Sequence, residues 1–297
     1  MDDLTKISAL ILTWLVAIPA AAGDVPKTPG LSWKKAEHSI ALLKDGKAVW
    51  QHNHDPDEGK PYIHPLATSD GEVLTWLRPK DHPWHRGLWF SWKFINGLNY
   101  WEEDRKTGLS EGRTKIKKAK IKTGEDYSAR IELAVSYHPP GKDEVISEKR
   151  VLNITAPDDK GTCKIDWTSI FKATGGDATL GRTPIPGEKH GKSYGGYAGL
   201  SIRMAGETRG WKYTDSEGRQ GKDIHGKKAM WMKAAGNTPS GKEAGVTIED
   251  QKSNLRHPTP WYLAAEMPYF GPALLFNKPY TLKKGESLTL KYRVTVR

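Results

Sequence analysis

The chain has 297 residues, 37% of them hydrophobic and 27% charged, with a formal net charge of +11. That balance supports a substantial core and a well-solvated surface, and it excludes a disordered chain. Cys163 is the only cysteine, so an internal disulfide is excluded and an exported form must rely on its core.

At the N-terminus, Lys6 precedes an apolar run from Ile7 to Ile18, followed by Pro19-Ala20-Ala21-Ala22-Gly23. A basic start, an apolar stretch and a zone of small residues read as a signal peptide over residues 1–23. Residues 24–297 then form a single mature domain, secreted or periplasmic. The run is short for ~30 Å of hydrocarbon, and no later run approaches ~18 apolar residues. No integral membrane segment is expected after cleavage. Loss of Asp2, Asp3 and Lys6 raises the charge from +11 to +12. Such a charge favours acidic partners, an anionic glycan among them. No nucleic-acid motif appears, and no nucleic-acid partner is expected.

Residues 24–30 are rich in Pro and Gly and read as a linker. Ser39 to Leu42 and Ala48 to Gln51 flank Lys44-Asp45-Gly46-Lys47, a hairpin signal. Tyr62-Ile63-His64-Pro65 is extended, and Val73 to Leu77 leads into the stretch that dominates the chain. From Arg78 to Trp101, twenty-four residues hold four of the twelve Trp: Trp84, Trp89, Trp92 and Trp101. Interleaved with them are Arg78, His82, His85, Arg86, Asn96 and Asn99. Aromatic faces bind flat apolar surfaces, and polar tips orient what lies on them. Pro79 and Pro83 confine Arg78 to His85 to a stiff loop. A strand follows from Gly87 to the Asn96-Gly97 turn.

Arg113 to Thr123 and Tyr127 to Tyr137 are long strands, as are Val145 to Thr155 and Thr162 to Phe171. Lys115, Lys117, Lys118, Lys120 and Lys122 make the first of them a solvated face. Cys163 alternates with Ile165, Trp167, Ser169 and Phe171, the pattern of a buried thiol. Residues 173–196 are irregular, with Glu188, His190 and Tyr194. Tyr197 to Arg203 is a strand, and residues 205–228 are polar and Gly-rich. Ala229 to Ala235 and Ala244 to Glu249 are strands. Gln251 to Pro260 is a loop carrying Asn254 and His257. Trp261 to Glu266, Ala273 to Phe276 and Ser287 to Val296 are the last strands. No helical stripe appears after the leader. The pattern predicts an all-β chain, a large antiparallel β-sandwich.

Several of these stretches carry a resemblance. Asp81-His82-Pro83, His85-Arg86-Gly87-Leu88-Trp89-Phe90, Asn96-Gly97 and Trp101 resemble the signature of the PmoA-like family. So do Gly195-Gly196-Tyr197-Ala198-Gly199-Leu200, Ala244-Gly245-Val246-Thr247-Ile248, the segment Asn254 to Tyr262, and the Leu282-to-Glu286 ending. That family carries the label "methane oxygenase PmoA", which implies a metal-dependent oxygenase, yet it is in effect a domain of unknown function. The chain departs from it at Trp84, near Trp92 and at Gln251-Lys252, where the family usually has His or Asp-His-Pro. Size and the Gly285-Glu286 ending also resemble galactose-mutarotase-like super-sandwiches, a likeness of fold that does not settle function.

The chemistry-bearing residues form three sets. Histidine exchanges protons near neutral pH, and a fixed arginine neutralises a carboxylate or an oxyanion. Arg78, His82, His85 and Arg86 are therefore the first catalytic candidates. Glu188 and His190 are the second, as a carboxylate and imidazole that could complete an acid–base pair. Asp250, Asn254, Arg256 and His257 are the third. Tyr62, His64, Trp84, Trp89, Asn96, Asn99, Trp101, Tyr194, Asn254, His257 and Trp261 are candidate substrate contacts. His64, His82, His85 and His257 are the imidazoles a shared metal would use, but no local ligand pattern such as His-Glu-x-x-His occurs. No metal and no cofactor is assigned. The reading is a secreted carbohydrate-active protein, an enzyme using His/Arg acid–base chemistry on a sugar or acidic glycan. The alternatives are a non-catalytic glycan-binding module and the oxygenase of the family label.

Overall fold

Period-two alternation of apolar and polar residues governs the chain, and the computed structural model, which describes residues 30–297, is built almost wholly of strands. The expected signal peptide lies outside the described residues. In chain order the strands are β1 (Leu31–Ala36), β2 (Ser39–Lys44), β3 (Lys47–Asn53), β4 (Tyr62–Leu66), β5 (Leu88–Ser91), β6 (Phe94–Ile95), β7 (Leu98–Asn99), β8 (Arg113–Thr123), β9 (Ala129–His138) and β10 (Ile146–Ile154). They continue with β11 (Cys163–Ala173), β12 (Ala178–Gly181), β13 (Gly199–Arg203), β14 (Lys212–Asp215), β15 (Trp231–Asn237), β16 (Glu243–Asp250), β17 (Trp261–Ala264), β18 (Tyr269–Pro272), β19 (Tyr280–Leu282) and β20 (Ser287–Val296). Two short 3-10 turns, Gly206–Thr208 and Gly221–Ile224, are the only helical pieces among the described residues.

One eight-stranded sheet runs β1-β2-β3-β4-β5-β13-β18-β17, and a second runs β14-β15-β16-β20-β11-β10-β9-β8. A four-stranded sheet, β19-β12-β6-β7, joins them. The large sheets share one core. Phe90 of the first and Trp92, just past the end of β5, meet Phe171 of the second, each with ring centroids 5.0 Å apart. Cys163 is buried there and donates to the Thr155 carbonyl, and burial pushes its thiol up to about 12.

The core also holds a fully buried ion pair. Arg150 reaches Glu148 through Nε at 2.7 Å and Nη2 at 2.9 Å, and both side chains are 0% exposed. The hydroxyls of Tyr137 and Ser169 each donate to the same carboxylate at 2.6 Å. The guanidinium lies over the Trp167 ring. Every charge there has a partner, which is the condition under which such a pair is tolerated.

The first sheet has a second apolar side. Trp89, Tyr62, Trp101, Tyr262, Tyr269 and Phe276 form a separate buried cluster. The residues at 89 and 90 therefore point to opposite faces, as strand alternation requires. The long strands and the last strand stand close to where the sequence places them. Others do not. The strand expected from Gly87 breaks into β5 and β6. Ala273 to Phe276 is not a strand; β18 precedes it. β1, β12, β14 and β19 are unforeseen, because short strands in Gly-rich surroundings are stabilised by their neighbours rather than by their own pattern. The lysines of β8 are exposed on the edge strand of the second sheet.

Candidate functional site

The Pro-bounded loop is tied at its ends. The Arg78 N–H donates to the His85 carbonyl at 2.8 Å, and inside it His82 N–H bonds Pro79 and His85 N–H bonds His82. Gly87 then turns the chain into β5 at φ +67°, where an added Cβ would stand 2.6 Å from the Ile63 carbonyl oxygen. Only glycine fits that approach. The turn delivers His85 and Trp89 to the outer face of the first sheet.

A cavity of about 350 Å³ opens above this face. His82, Trp84, His85, Trp101, Glu102 and Tyr194 line it, together with Tyr197, Tyr262, Met267 and Tyr269. The aromatic wall is continuous, with centroid spacings of 5.1 Å from Trp101 to Tyr197, 5.4 Å from Tyr197 to Tyr262 and 5.6 Å from Tyr262 to Tyr269. Three of the four tyrosine hydroxyls are already engaged: Tyr197 with Glu102 at 2.6 Å, Tyr269 with Ser201 at 2.8 Å, Tyr262 with the Tyr194 carbonyl at 3.3 Å. These tyrosines therefore offer the cavity their rings.

Besides the exposed Tyr194 hydroxyl, three ionisable groups remain. The Asp81 carboxylate holds His82 Nδ1 at 2.9 Å, so a neutral His82 carries its proton on Nδ1 and keeps Nε2 as an acceptor. Burial lifts the Asp81 carboxyl, but hydrogen bonds from His82 and Arg203 outweigh it and hold the group at about 2. His85 stacks between His82, at 4.7 Å, and Tyr269, at 5.1 Å. Burial, then His82 and Arg203, keep its pKa well below the usual value; it is a neutral imidazole. Its buried Nδ1 has no partner among the described residues. Glu102 is pushed up by burial, yet Lys93, Tyr197 and Asn99 together hold it below the ordinary carboxylate range. It stays ionised and accepts from Tyr197, from Lys93 and, at 2.8 Å, from Asn99.

Behind Trp101 lies a buried ionic knot. Glu103 accepts from Lys60 at 2.9 Å, Arg86 at 2.9 and 3.2 Å and Arg78 at 3.2 Å. Arg86 is 0% exposed and also bonds Glu58. The arginines expected to face a substrate instead brace the Trp101–Glu103 segment, and neither lines the cavity. Tyr62 packs under Arg86.

The structure thus brings His82, Trp84, His85, Trp101 and Tyr194 to one cavity, with Trp89 buried beneath it and Asn99 bonded to Glu102 from behind. It does not bring the others. His64 bonds Thr75. Asn96 holds the turn to Thr179. Glu188 pairs with Arg182 at 2.6 Å, and His190 is exposed beside it. Asn254 ties Asp250 to Lys291, and His257 bonds Asp250. Trp261 is fully buried and donates to the Ala229 carbonyl. Among the described residues, no group of three or more His, Cys, Asp or Glu stands close enough to hold a metal. Glu102, Tyr197, Tyr262, Met267 and Tyr269 were not foreseen. Tyr197 and Tyr262 sit inside stretches that carry the family resemblance, and Glu102 directly follows Trp101. Those positions were the available signal.

The buried imidazoles make stability depend on pH. His52 is pushed well below the ordinary 6.5 by burial, then by His54 and Arg150, and His64 is lowered to about 4 by burial. Below about 6.5 the unfolded chain binds protons that the folded chain does not, so stability is full above that pH and falls toward about 4. Melting temperature is expected to drop steadily across this window. A flat profile would mean that these imidazoles titrate alike in both states.

Fold and site define an all-β sandwich with an aromatic-walled cavity lined by two imidazoles and a carboxylate. The sequence matches the "Family of unknown function (DUF6807)" over residues 39–297, and the chain belongs to that family. The family bears no oxygenase description, so the methane-oxygenase label is not supported. No curated protein matches the chain. Among solved structures, the chain is similar to a galactose mutarotase related enzyme from Lactobacillus acidophilus, at 9% identity over 90% of this chain and 97% of that one, with a TM-score of 0.37. It is also similar to a candidate aldose 1-epimerase from Escherichia coli K12, at 10% identity over 90% and 98%, with a TM-score of 0.33. At those scores nothing further rests on either likeness.

Proposed function

We propose that the cavity is the active site of a carbohydrate-active enzyme. The observation that carries this reading is that ring faces, two imidazoles and an ionised carboxylate meet on one cavity of about 350 Å³. The C–H face of a sugar ring packs on aromatic faces, and a few polar groups orient its hydroxyls. His82 is the proton carrier, since its Nδ1 is occupied and it is partly open to solvent. His85 is a neutral partner. Glu102, ionised and already bonded, orients a substrate hydroxyl rather than taking its proton.

No Lys or Arg lines the cavity, so it suits a neutral sugar, and the anionic glycan suggested by net charge finds no partner in it. The leader-like residues 1–23 support an extracytoplasmic location. The test is a panel of neutral and acidic sugars, with binding read by tryptophan fluorescence and turnover by NMR. A neutral sugar is expected to bind, with affinity little changed by salt. Trp84→Ala should weaken it about tenfold, equivalent to some 1.4 kcal/mol of lost apolar contact. Preference for acidic glycans that vanishes in salt would move binding to the basic surface and sink this reading. Binding without turnover would favour the non-catalytic module.

A further inference from the structure

Resting on that reading of His82, we propose that Arg203 is a positioning residue, which holds Asp81 so that Asp81 in turn fixes the His82 imidazole. Asp81 and His82 are neighbours in sequence, and the Asp81 side chain is 48% exposed. An exposed pair of this kind is normally mobile and contributes little. Arg203 changes that. It reaches across from β13, and its Nη2 lies 3.2 Å from one Asp81 oxygen and 2.9 Å from the other.

The cost of placing Arg203 there is what marks it. The residue is 0% exposed, with its guanidinium over the Trp76 ring at 5.4 Å. Its Nε and Nη1 are buried and have no partner among the described residues. Unpaired buried donors are expensive, and an apolar side chain would serve stability better. Stability alone leaves them unexplained. A carboxylate that must keep one orientation accounts for the arrangement. The anchor is also rigid. Arg203 pairs with Tyr269, and Ser201 on the same strand pairs with Trp89, so this anchor and the cavity wall share one frame.

In the proton-transfer step, the O–H bond of a substrate hydroxyl breaks and an N–H bond forms at His82 Nε2; the electron pair stays on the substrate oxygen as an alkoxide, and Nδ1 keeps its own proton. The imidazolium that forms is stabilised by the Asp81 charge. Arg203 holds the Asp81 carboxylate turned toward Nδ1, so the Nδ1 proton stays directed at it.

The test reads the substrate-free protein. Imidazole 15N NMR at neutral pH is expected to show His82 as the Nδ1–H tautomer. Arg203→Met should abolish that bias, and Arg203→Lys should reduce it, since an ammonium on a flexible stem has no planar group to lie over Trp76 and fix its place beside Asp81. Lysine retains the charge, so it keeps the test alive if Arg203→Met fails to fold. With a substrate, Arg203→Lys should lower kcat about 10–100-fold with KM nearly unchanged, the range for outer partners of a functional imidazole. An unaltered tautomer in a folded Arg203 variant overturns the proposal. Absence of any sugar turnover overturns the reading of the cavity instead, and the tautomer result decides the role of Arg203 independently.

Discussion

His82→Ala is expected to lower turnover by ~10²–10⁴, the range for loss of an acid or base. Substrate affinity and melting temperature should change little, because the side chain is one-third exposed, at 33%, and its one protein hydrogen bond is to a half-exposed carboxylate. His85→Ala gives the contrast. That ring is 3% exposed and stacked on two neighbours, so its removal opens a void and costs stability as well as activity. The comparison needs a substrate, a kcat for each variant and a thermal melt. Full turnover in His82→Ala would remove His82 from the chemistry, and with it the acid–base reading.

The largest effect on stability is expected from Arg150→Ala. The change strands Glu148 in the core with only two hydroxyls against its charge. Breaking one half of a buried pair costs roughly 3–5 kcal/mol, whereas replacing both halves by apolar residues of similar size is often neutral. The double variant Glu148→Leu with Arg150→Met should therefore recover most of the loss. Urea unfolding of the wild type, the single variant and the double variant measures this. A loss under about 1 kcal/mol in Arg150→Ala would show that water reaches the carboxylate, contrary to its burial.

Where the sequence was legible, a simple physical rule was at work. β20 alternates Leu288, Leu290, Tyr292, Val294 and Val296, and all five are buried. The loop of His82 and His85 announced itself through Pro79 and Pro83, which limit the backbone whatever surrounds them. Trp89 and Phe90 had to face opposite ways on any strand. The failures share a cause too. Arg86 looks like an anion binder until Glu103 and Glu58 are seen to meet it from positions 17 and 28 residues away. Asn96 and Asn254 are polar residues in turns, and nothing local separates a brace from a ligand contact. Tyr262 and Tyr269 reach the cavity because β17 and β18 pair at the edge of the first sheet, a fact of topology that no short window contains.

The lysines of β8 have a role apart from any ligand. An edge strand presents unpaired N–H and C=O groups to any other chain, and two copies can zip together along it. Lys115, Lys117, Lys118, Lys120 and Lys122 set a row of like charges along that seam. A second copy approaching in strand register would bring the same row against it. Part of the positive charge of this protein thus opposes strand-to-strand pairing of copies along this edge. That opposition stands firm where the screening length is ~8 Å and weakens as concentrated salt shortens it to ~3 Å.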